Sequence, residues 1–205
     1  MPGDTTKTSR YFIINKPRKM VSQFVSPHKV NLLGSLDFDF PEGIHAVGRL
    51  DNDSEGLLIL TNNKKVTRLL FSGEEPHKRV YLVQVNNLLS PDNLQKLRTG
   101  VSIRVEGGEF YKTPPCEVED IENATEIYLH AGDSSQYGRH TWLLITLYEG
   151  KYRQVRKMIG AINHRVKRLI RVSIEALLLE DMMPGAIKEL EEEDFFHKLK
   201  IRDYK

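Results

Sequence analysis

The chain predicts an α+β fold: an extended, mixed and mainly antiparallel sheet with helices, in two halves around a central cleft. The elements form a mixed tally whose many strands need not be parallel, with no repeats or low complexity. The 205 residues, 23.6 kDa, make one ordinary domain or two small halves, a size that buries roughly 70% of the unfolded surface. The composition, 40% hydrophobic, 28% charged and 8% aromatic, is that of a globular protein, neither a disordered tail nor a disulfide scaffold.

Residues 1–10 are expected to be a loose, flexible tail, and 11–205 a single domain of two subdomains. Tyr11 to Ile14 reads as a short apolar strand ended by Asn15, Lys16 and Pro17, because proline restricts its predecessor and removes a ladder donor. Ala46 to Asp51 and Gly56 to Leu60 read as strands, and the polar residues Asp51 to Gly56 as an exposed loop between them. Thr61 or Asn62 can cap a helix with Val66, Leu69 and Leu70 on one side, ending near Ser72 and Gly73.

Val80 to Val85 alternates as a half-buried strand should. Ser90 and Pro91 supply N-cap and N1 for a helix carrying Leu94 and Leu97, stopped by Gly100. Val101 to Val105, the Gly107-Gly108 turn and Glu109 to Lys112 predict a hairpin. Glu126 to His130 and Trp142 to Tyr148 read as strands, Gln154 to Ile162 as a helix, and Val166 to Ile174 as a strand. Trp142 and Phe195-Phe196 are assigned to packing.

The net charge of +2 hides a division along the chain. Gly138 to Arg171 holds nine basic residues against one acid, Glu149, a local +8, whereas Glu175 to Asp194 holds eight acids against one lysine, a local −7. This separation suits one face for a polyanion and another that stays in solvent, although solvated basic sides of a helix and strand would look the same. No apolar run reaches the ~20 residues of a membrane helix, and the start, MPGDTTKTSR, has no apolar core of a signal sequence. A single cysteine, Cys116, cannot make an internal disulfide, and the seven histidines do not cluster with it as zinc ligands would. A cytoplasmic protein without a structural metal is expected.

Asp51-Asn52-Asp53-Ser54-Glu55-Gly56 mimics the first half of a calcium loop, but Asn62 stands where a bidentate glutamate is required. Asp51 remains, at the expected end of a buried strand, rigid yet able to reach a cleft as a nucleophile or acid–base group would; a turn aspartate capping backbone amides has the same look. In Glu149-Gly150-Lys151-Tyr152-Arg153-Gln154-Val155-Arg156-Lys157-Met158 a strand passes through glycine into a helix, where Arg153, Arg156 and Lys157 fall at i, i+3 and i+4. Such a stripe repels itself unless solvated, or unless phosphates or a carboxylate meet it. Tyr81 follows His77, Lys78 and Arg79 on its strand, placed to stack on a base or to fill the core.

Together these segments resemble the ribosomal-RNA pseudouridine synthases of the Rsu type. Gly48-Arg49-Leu50-Asp51 with Ser54-Glu55-Gly56-Leu57-Leu58-Ile59-Leu60-Thr61 is similar to their signature loop. The likeness continues through Asn15-Lys16-Pro17, Arg79-Val80-Tyr81, Glu149-Gly150 to Met158, and Leu169-Ile170-Arg171, in order over nearly the whole chain. The nearest subgroup resembles the large-subunit ribosomal-RNA pseudouridine synthases E, whose members lack the small N-terminal RNA-binding domain. Only about ten residues precede the first strand here, too few for a domain.

The resemblance implies the pseudouridine synthase catalytic fold and isomerisation of a specific uridine in large-subunit ribosomal RNA. It makes Asp51 the nucleophile or base, packs Tyr81 against the target ring, and pairs Arg156 with the Asp51 carboxylate, with Arg153 on the same helical face as the alternative partner. Arg49 enters the RNA helix in place of the extruded base, and Arg79, Lys151, Arg153 and Lys157 contact RNA. No redox change or external group transfer occurs, so no metal or organic cofactor is expected; the implied partner is ribosomal RNA, not DNA or a membrane, and a monomer is expected. Extruding a uridine costs a few kcal/mol of stacking, which an inserted arginine partly offsets. An arginine beside Asp51 opposes the cost of keeping its charge in a dry site.

The chain departs from the family pattern at three places. Arg79 stands where lysine is usual, Lys151-Tyr152 where arginine and asparagine are usual, and Asn163 where glycine is common. Asparagine tolerates the left-handed region, so a positive φ is predicted there. Two other function classes compete with the enzyme. A non-catalytic RNA-binding or ribosome-assembly factor would need only the basic face, and a hydrolase would borrow Asp51 and Asp53, although an i, i+2 pair in a bend need not converge on one bond.

Overall fold

The computed structural model describes residues 8–71, 76–132, 138–202 and 204. The strands are β1 (Tyr11–Lys16), β2 (His45–Val47), β3 (Glu55–Thr61), β4 (Arg79–Asn86), β5 (Ser102–Arg104), β6 (Phe110–Lys112), β7 (Glu117–Ile121), β8 (His140–Leu147), β9 (Val166–Ile174), β10 (Leu177–Leu178) and β11 (Ile187–Leu190). The helices are α1 (Lys65–Phe71), α2 (Pro91–Thr99), α3 (Ala124–Ile127), α4 (Gln154–Ala161) and α5 (Glu192–Lys198). Nine strands form one sheet of order β11-β1-β3-β9-β4-β8-β7, with β2 on β3 and β10 on β9, while β5 and β6 make a separate hairpin.

All pairings in the large sheet are antiparallel except β3 with β9, which run parallel through two matched positions, Glu55 with Ile170 and Gly56 with Arg171. This short seam joins β11-β1-β3 to β9-β4-β8-β7. Gly56 has φ +99°, and a Cβ there would collide with the Arg171 carbonyl oxygen, so the close approach requires glycine.

Alternation of side chains sends each strand into two cores. Tyr11, Ile13, Leu57, Ile59, Leu82 and Ile170 share one core that runs under both halves, closed by Phe195 and Phe196 of α5. On the opposite face Phe12, Ile14, Leu58 and Leu60 form one core with Leu33 and Leu50, and Val83, Val85, Leu143, Ile145 and Leu169 form another with Met158 and Ile159 of α4. Between these last two cores lies a cleft.

Several expected elements stand where the sequence puts them. Ser90 accepts a hydrogen bond from the Asn93 N–H at the start of α2, and Gly100 ends it at φ +92°. The Gly107-Gly108 hairpin forms, β9 has the expected bounds, and Asn163 has φ +62°.

Other elements differ. Residues 8–10 are not loose, because Arg10 donates its N–H to Asn62 and pairs with Glu189 at 2.6 Å; the remainder of the expected tail lies outside the described residues, as do Ser72 and Gly73. Asn63, not Thr61 or Asn62, accepts from the Lys65 N–H at the start of α1. Glu126 to His130 is not a strand: the Asn123 side chain caps α3 by accepting from the Thr125 N–H and donates to the Glu126 carboxylate, an N-cap that outweighs the β propensity of Ile127 and Tyr128. Residues 117–121, unassigned from sequence, form the edge strand β7. β4 is not half-exposed, since β8 and β9 flank it and most of it is buried.

Candidate active site

The cleft encloses about 1340 Å³ and is lined from both halves, among others by Arg49, Asp51, Tyr81, Lys151, Arg153 and Arg171. Its acidic side is the turn between β2 and β3. β2 ends at Val47, and Gly48 turns the chain at φ +73°, where a Cβ would press on the Phe71 ring. Asp51 therefore sits in a turn, not at a strand end, because the left-handed glycine closes β2 four residues earlier. Glu55, expected in an exposed loop, is already in β3 with Gly56, and Ser54 and Glu55 are buried.

The turn is held from below. The Ser22 hydroxyl donates to the Leu50 carbonyl and accepts from the Leu50 N–H, both at 2.9 Å. Leu50 is thereby sunk into its core with exposed Arg49 on one side and Asp51 on the other. The Ser54 N–H closes the turn on the Asp51 carbonyl at 3.0 Å, and the Lys19 N–H donates to the Asn52 carbonyl at 2.7 Å. Beneath it Lys16 is wholly buried, its ammonium donating to the Pro17 and Met20 carbonyls at 2.8 and 2.6 Å. Burial drives the Lys16 pKa down to about 8, against the opposing pull of Glu55, Asp51 and Asp53.

The basic side is the loop from β8 into α4. Glu149 accepts from the Tyr111 hydroxyl and from Gln154 Nε2, each at 2.6 Å, while Gln154 Oε1 accepts from the Lys151 N–H at 2.9 Å. This brace sets the position of Arg153, which precedes the helix in the left-handed region at φ +53°.

Arg153 Nη1 lies 3.2 Å from Asp51 Oδ2, and its two terminal nitrogens donate to both Asp53 oxygens at 3.2 Å. Arg156 reaches the same turn differently: Nη2 donates to the Asp53 carbonyl at 2.8 Å and the Ser54 hydroxyl at 3.3 Å, and stands 3.3 Å from Asp53 Oδ2. The expected Arg156–Asp51 pairing is thus replaced by Arg153–Asp51. The i, i+3, i+4 stripe assumed Arg153 to be helical, whereas α4 begins one residue later and Arg153 leaves the backbone in another direction. Burial pushes the Asp53 carboxyl up, but the Arg153 hydrogen bond and the charges of both arginines outweigh it and hold the pKa below the ordinary value.

Tyr81 lies on β4 in the cleft wall, partly exposed, directly across from Arg171 of β9 and Ile145 of β8. Lys151 lines the cleft with its ammonium 4.9 Å from the Tyr111 ring centre. Lys157 does not line the cleft itself; its ammonium lies 5.2 Å from the ring centre of exposed Tyr152, which does. Arg79 is buried on the cleft wall with Phe71 beneath it. Sequence reasoning gave no role to Ser22, Glu149, Gln154 or Arg171, and none to Lys16 beyond ending β1; a lysine closing an apolar strand before proline was the one available signal for its burial. Among the described residues no three His, Cys, Asp or Glu groups are placed to hold a metal ion, and no helix is long and apolar enough to cross a membrane.

The sequence model of the RNA pseudouridylate synthase family matches residues 10–161. The chain is 34% identical over 196 residues to a ribosomal large subunit pseudouridine synthase E of Vibrio parahaemolyticus, covering 93% of this chain and 77% of that protein. It is 30% identical to a ribosomal small subunit pseudouridine synthase A of Yersinia pestis, covering 90% and 71%. A crystal structure of a pseudouridylate synthase superposes with a TM-score of 0.73 at 26% identity, covering 94% of this chain and 74% of that one. An acid turn and a basic loop that meet across a cleft, on a fold shared along almost the whole chain, fit these matches: the chain belongs to the RNA pseudouridylate synthase family.

Proposed function

We propose that the protein converts one uridine of large-subunit ribosomal RNA to pseudouridine, with Asp51 starting the reaction. The N1–C1′ bond of the nucleotide breaks, the base turns, C5 bonds to C1′, and the proton displaced from C5 is matched by one gained at N1. The observation that carries this reading is the Asp51 carboxylate in the cleft, 3.2 Å from the Arg153 guanidinium of the opposite half, a cation that presents fixed donors to a carboxylate. Arg153 takes the role that sequence gave to Arg156, and Arg156 holds the turn that presents the carboxylate. Tyr81 offers its ring as a platform for the base, and exposed Arg49 beside Asp51 is placed to fill the gap left in the RNA. The large-subunit assignment draws on the names of relatives such as the Vibrio protein.

The test is conversion of a transcribed large-subunit RNA by the purified protein, mapped at nucleotide resolution. Asp51→Asn should abolish conversion while RNA affinity stays within about threefold. Retained conversion in that variant removes Asp51 from the mechanism, and modification of small-subunit RNA alone corrects the substrate.

A further inference from the structure

Two guanidiniums on the cleft wall form no ion pair among the described residues. Arg171 is 4% exposed and Arg79 is 6% exposed, yet among the described residues neither makes an ion pair with a carboxylate. Arg171 is fixed by one bond, from Nε to the Leu57 carbonyl at 2.8 Å, and its Nη2 is buried without a partner. Arg79 lies with its guanidinium carbon 5.0 Å from the centre of the Phe71 ring. Burial lowers the Arg79 pKa, and the charge of Arg171 lowers it further, so the two cations sense each other. Glu175 lies near enough to act on Arg79, but its carboxylate accepts from the Lys78 N–H and pairs with Lys200.

Leaving two like charges desolvated and unpaired is costly unless an anion completes the arrangement. Both residues line the cleft, and Tyr81 stands between them: Arg171 is its cross-strand neighbour and Arg79 lies two residues before it on β4. The other cations on this wall differ, since Arg153 is engaged by Asp51 and Asp53, while Lys151 is exposed at the rim. Two guanidiniums flanking Tyr81 and close enough for one charge to act on the other offer the donors that suit a phosphate.

We propose that Arg79 and Arg171 form a subsite for one phosphate of the RNA backbone, the phosphodiester next to the nucleotide drawn into the cleft against Tyr81. This rests on the reading of the cleft as a uridine-isomerising site. The subsite holds the nucleotide by its backbone while Asp51 acts on the sugar and base, and it explains why the cleft wall carries charge deeper than its rim does.

The test titrates the whole chain by NMR with uridine, uridine 5′-monophosphate, uridine 3′-monophosphate and inorganic phosphate. The wild-type protein should bind at least one monophosphate about tenfold more tightly than uridine, and inorganic phosphate should compete with it. The monophosphate that gains identifies the side of the nucleotide that the arginines hold. Arg171→Gln and Arg79→Gln should each erase the preference while uridine affinity changes less than twofold. The Arg79 side chain makes no hydrogen bond among the described residues, so its variant serves even where Arg171→Gln fails to fold. Equal binding of uridine and both monophosphates by the wild type, or a preference that survives in Arg79→Gln, overturns the subsite. Converting activity on RNA is read separately: conversion without the preference refutes the subsite alone, whereas the preference without conversion supports the subsite and refutes the isomerase reading.

Discussion

Arg153 Nη1 stands 3.2 Å from Asp51 Oδ2 and 3.2 Å from Asp53 Oδ1, so a single guanidinium from one half of the molecule ties two carboxylates of the other. The two acids are not equivalent. Asp53 receives both terminal nitrogens of Arg153 and the charge of Arg156, and is spent on holding the turn. Asp51 shares one nitrogen and faces the cleft, which leaves carboxylate lone pairs for a substrate.

Exchanging the two arginines for glutamine should therefore separate two effects. Arg153→Gln removes the cation at Asp51, and single-turnover conversion should fall about 10²-fold, with a thermal midpoint close to the wild type because Arg153 is a third exposed. Arg156→Gln leaves the Asp53 carbonyl without its donor in a half-buried place, at a cost of about 1–3 kcal/mol. It should appear first in urea denaturation. The reverse ranking, with Arg156 governing rate and Arg153 governing stability, would restore the pairing expected from sequence.

Gly56→Ala tests the seam. The residue combines φ +99° with a backbone approach that leaves no room for a methyl, and only two matched positions hold β3 to β9. The variant should lose about 3–5 kcal/mol in chemical denaturation, in the range of exceptional single substitutions. A loss below about 1 kcal/mol would mean that the two halves slide past each other without strain.

Elements with a local cause were legible in the sequence. Ser90 and Gly100 bound α2 by their own side-chain and backbone chemistry, and the paired glycines after Val105 set the hairpin whatever lies around it. Asp51, Tyr81 and Arg153 were found because their segments resemble a family. What sequence could not supply were facts fixed by distant partners. The left-handed turn at Arg153 depends on the Glu149–Gln154–Tyr111 brace, and a helical wheel drawn from Arg153 onward gives that side chain the wrong direction. β7 holds Val118 and Ile121 among three acids, without a strand's alternation, and reads as surface until β8 is beside it. The burial of Arg171 depends on a seam in which Gly56, 115 positions earlier, lies against its backbone and the Leu57 carbonyl accepts from its Nε.

Lys151 and Lys157 make opposite predictions about RNA docking. Lys151 lines the cleft, and its replacement by alanine should lower the slope of log affinity against log salt by about 1, the signature of one phosphate contact. Lys157 stands behind Tyr152, a lining residue, without lining the cleft itself, and Lys157→Ala should move the slope by less than half that amount. Equal changes in the two variants would place the docking surface along α4 as a whole, as the charge stripe alone suggests.

Lys16 supplies a prediction with a sign. Its ordinary pKa of 10.5 is lowered to about 8 in the folded chain, by burial first, with Arg171 adding to it and Glu55, Asp51 and Asp53 opposing. Between these two values the unfolded chain holds a proton that the folded chain has released, so this residue makes stability rise as pH rises from 8 to 10.5. Below pH 8 both states are protonated, and the full cost of burying the cation is present and constant. Lys16→Met removes that cost but strands the Pro17 and Met20 carbonyls, which lose about 1–3 kcal/mol each when left unmet. The stability difference between wild type and Lys16→Met should therefore be flat from pH 6 to 7.5. It should then move by about 3 kcal/mol in favour of the wild type by pH 10.5, read by urea denaturation at matched ionic strength. A difference that stays level across the whole range would mean that the lysine keeps its proton in the fold, held by the carbonyls and by the three acids above it.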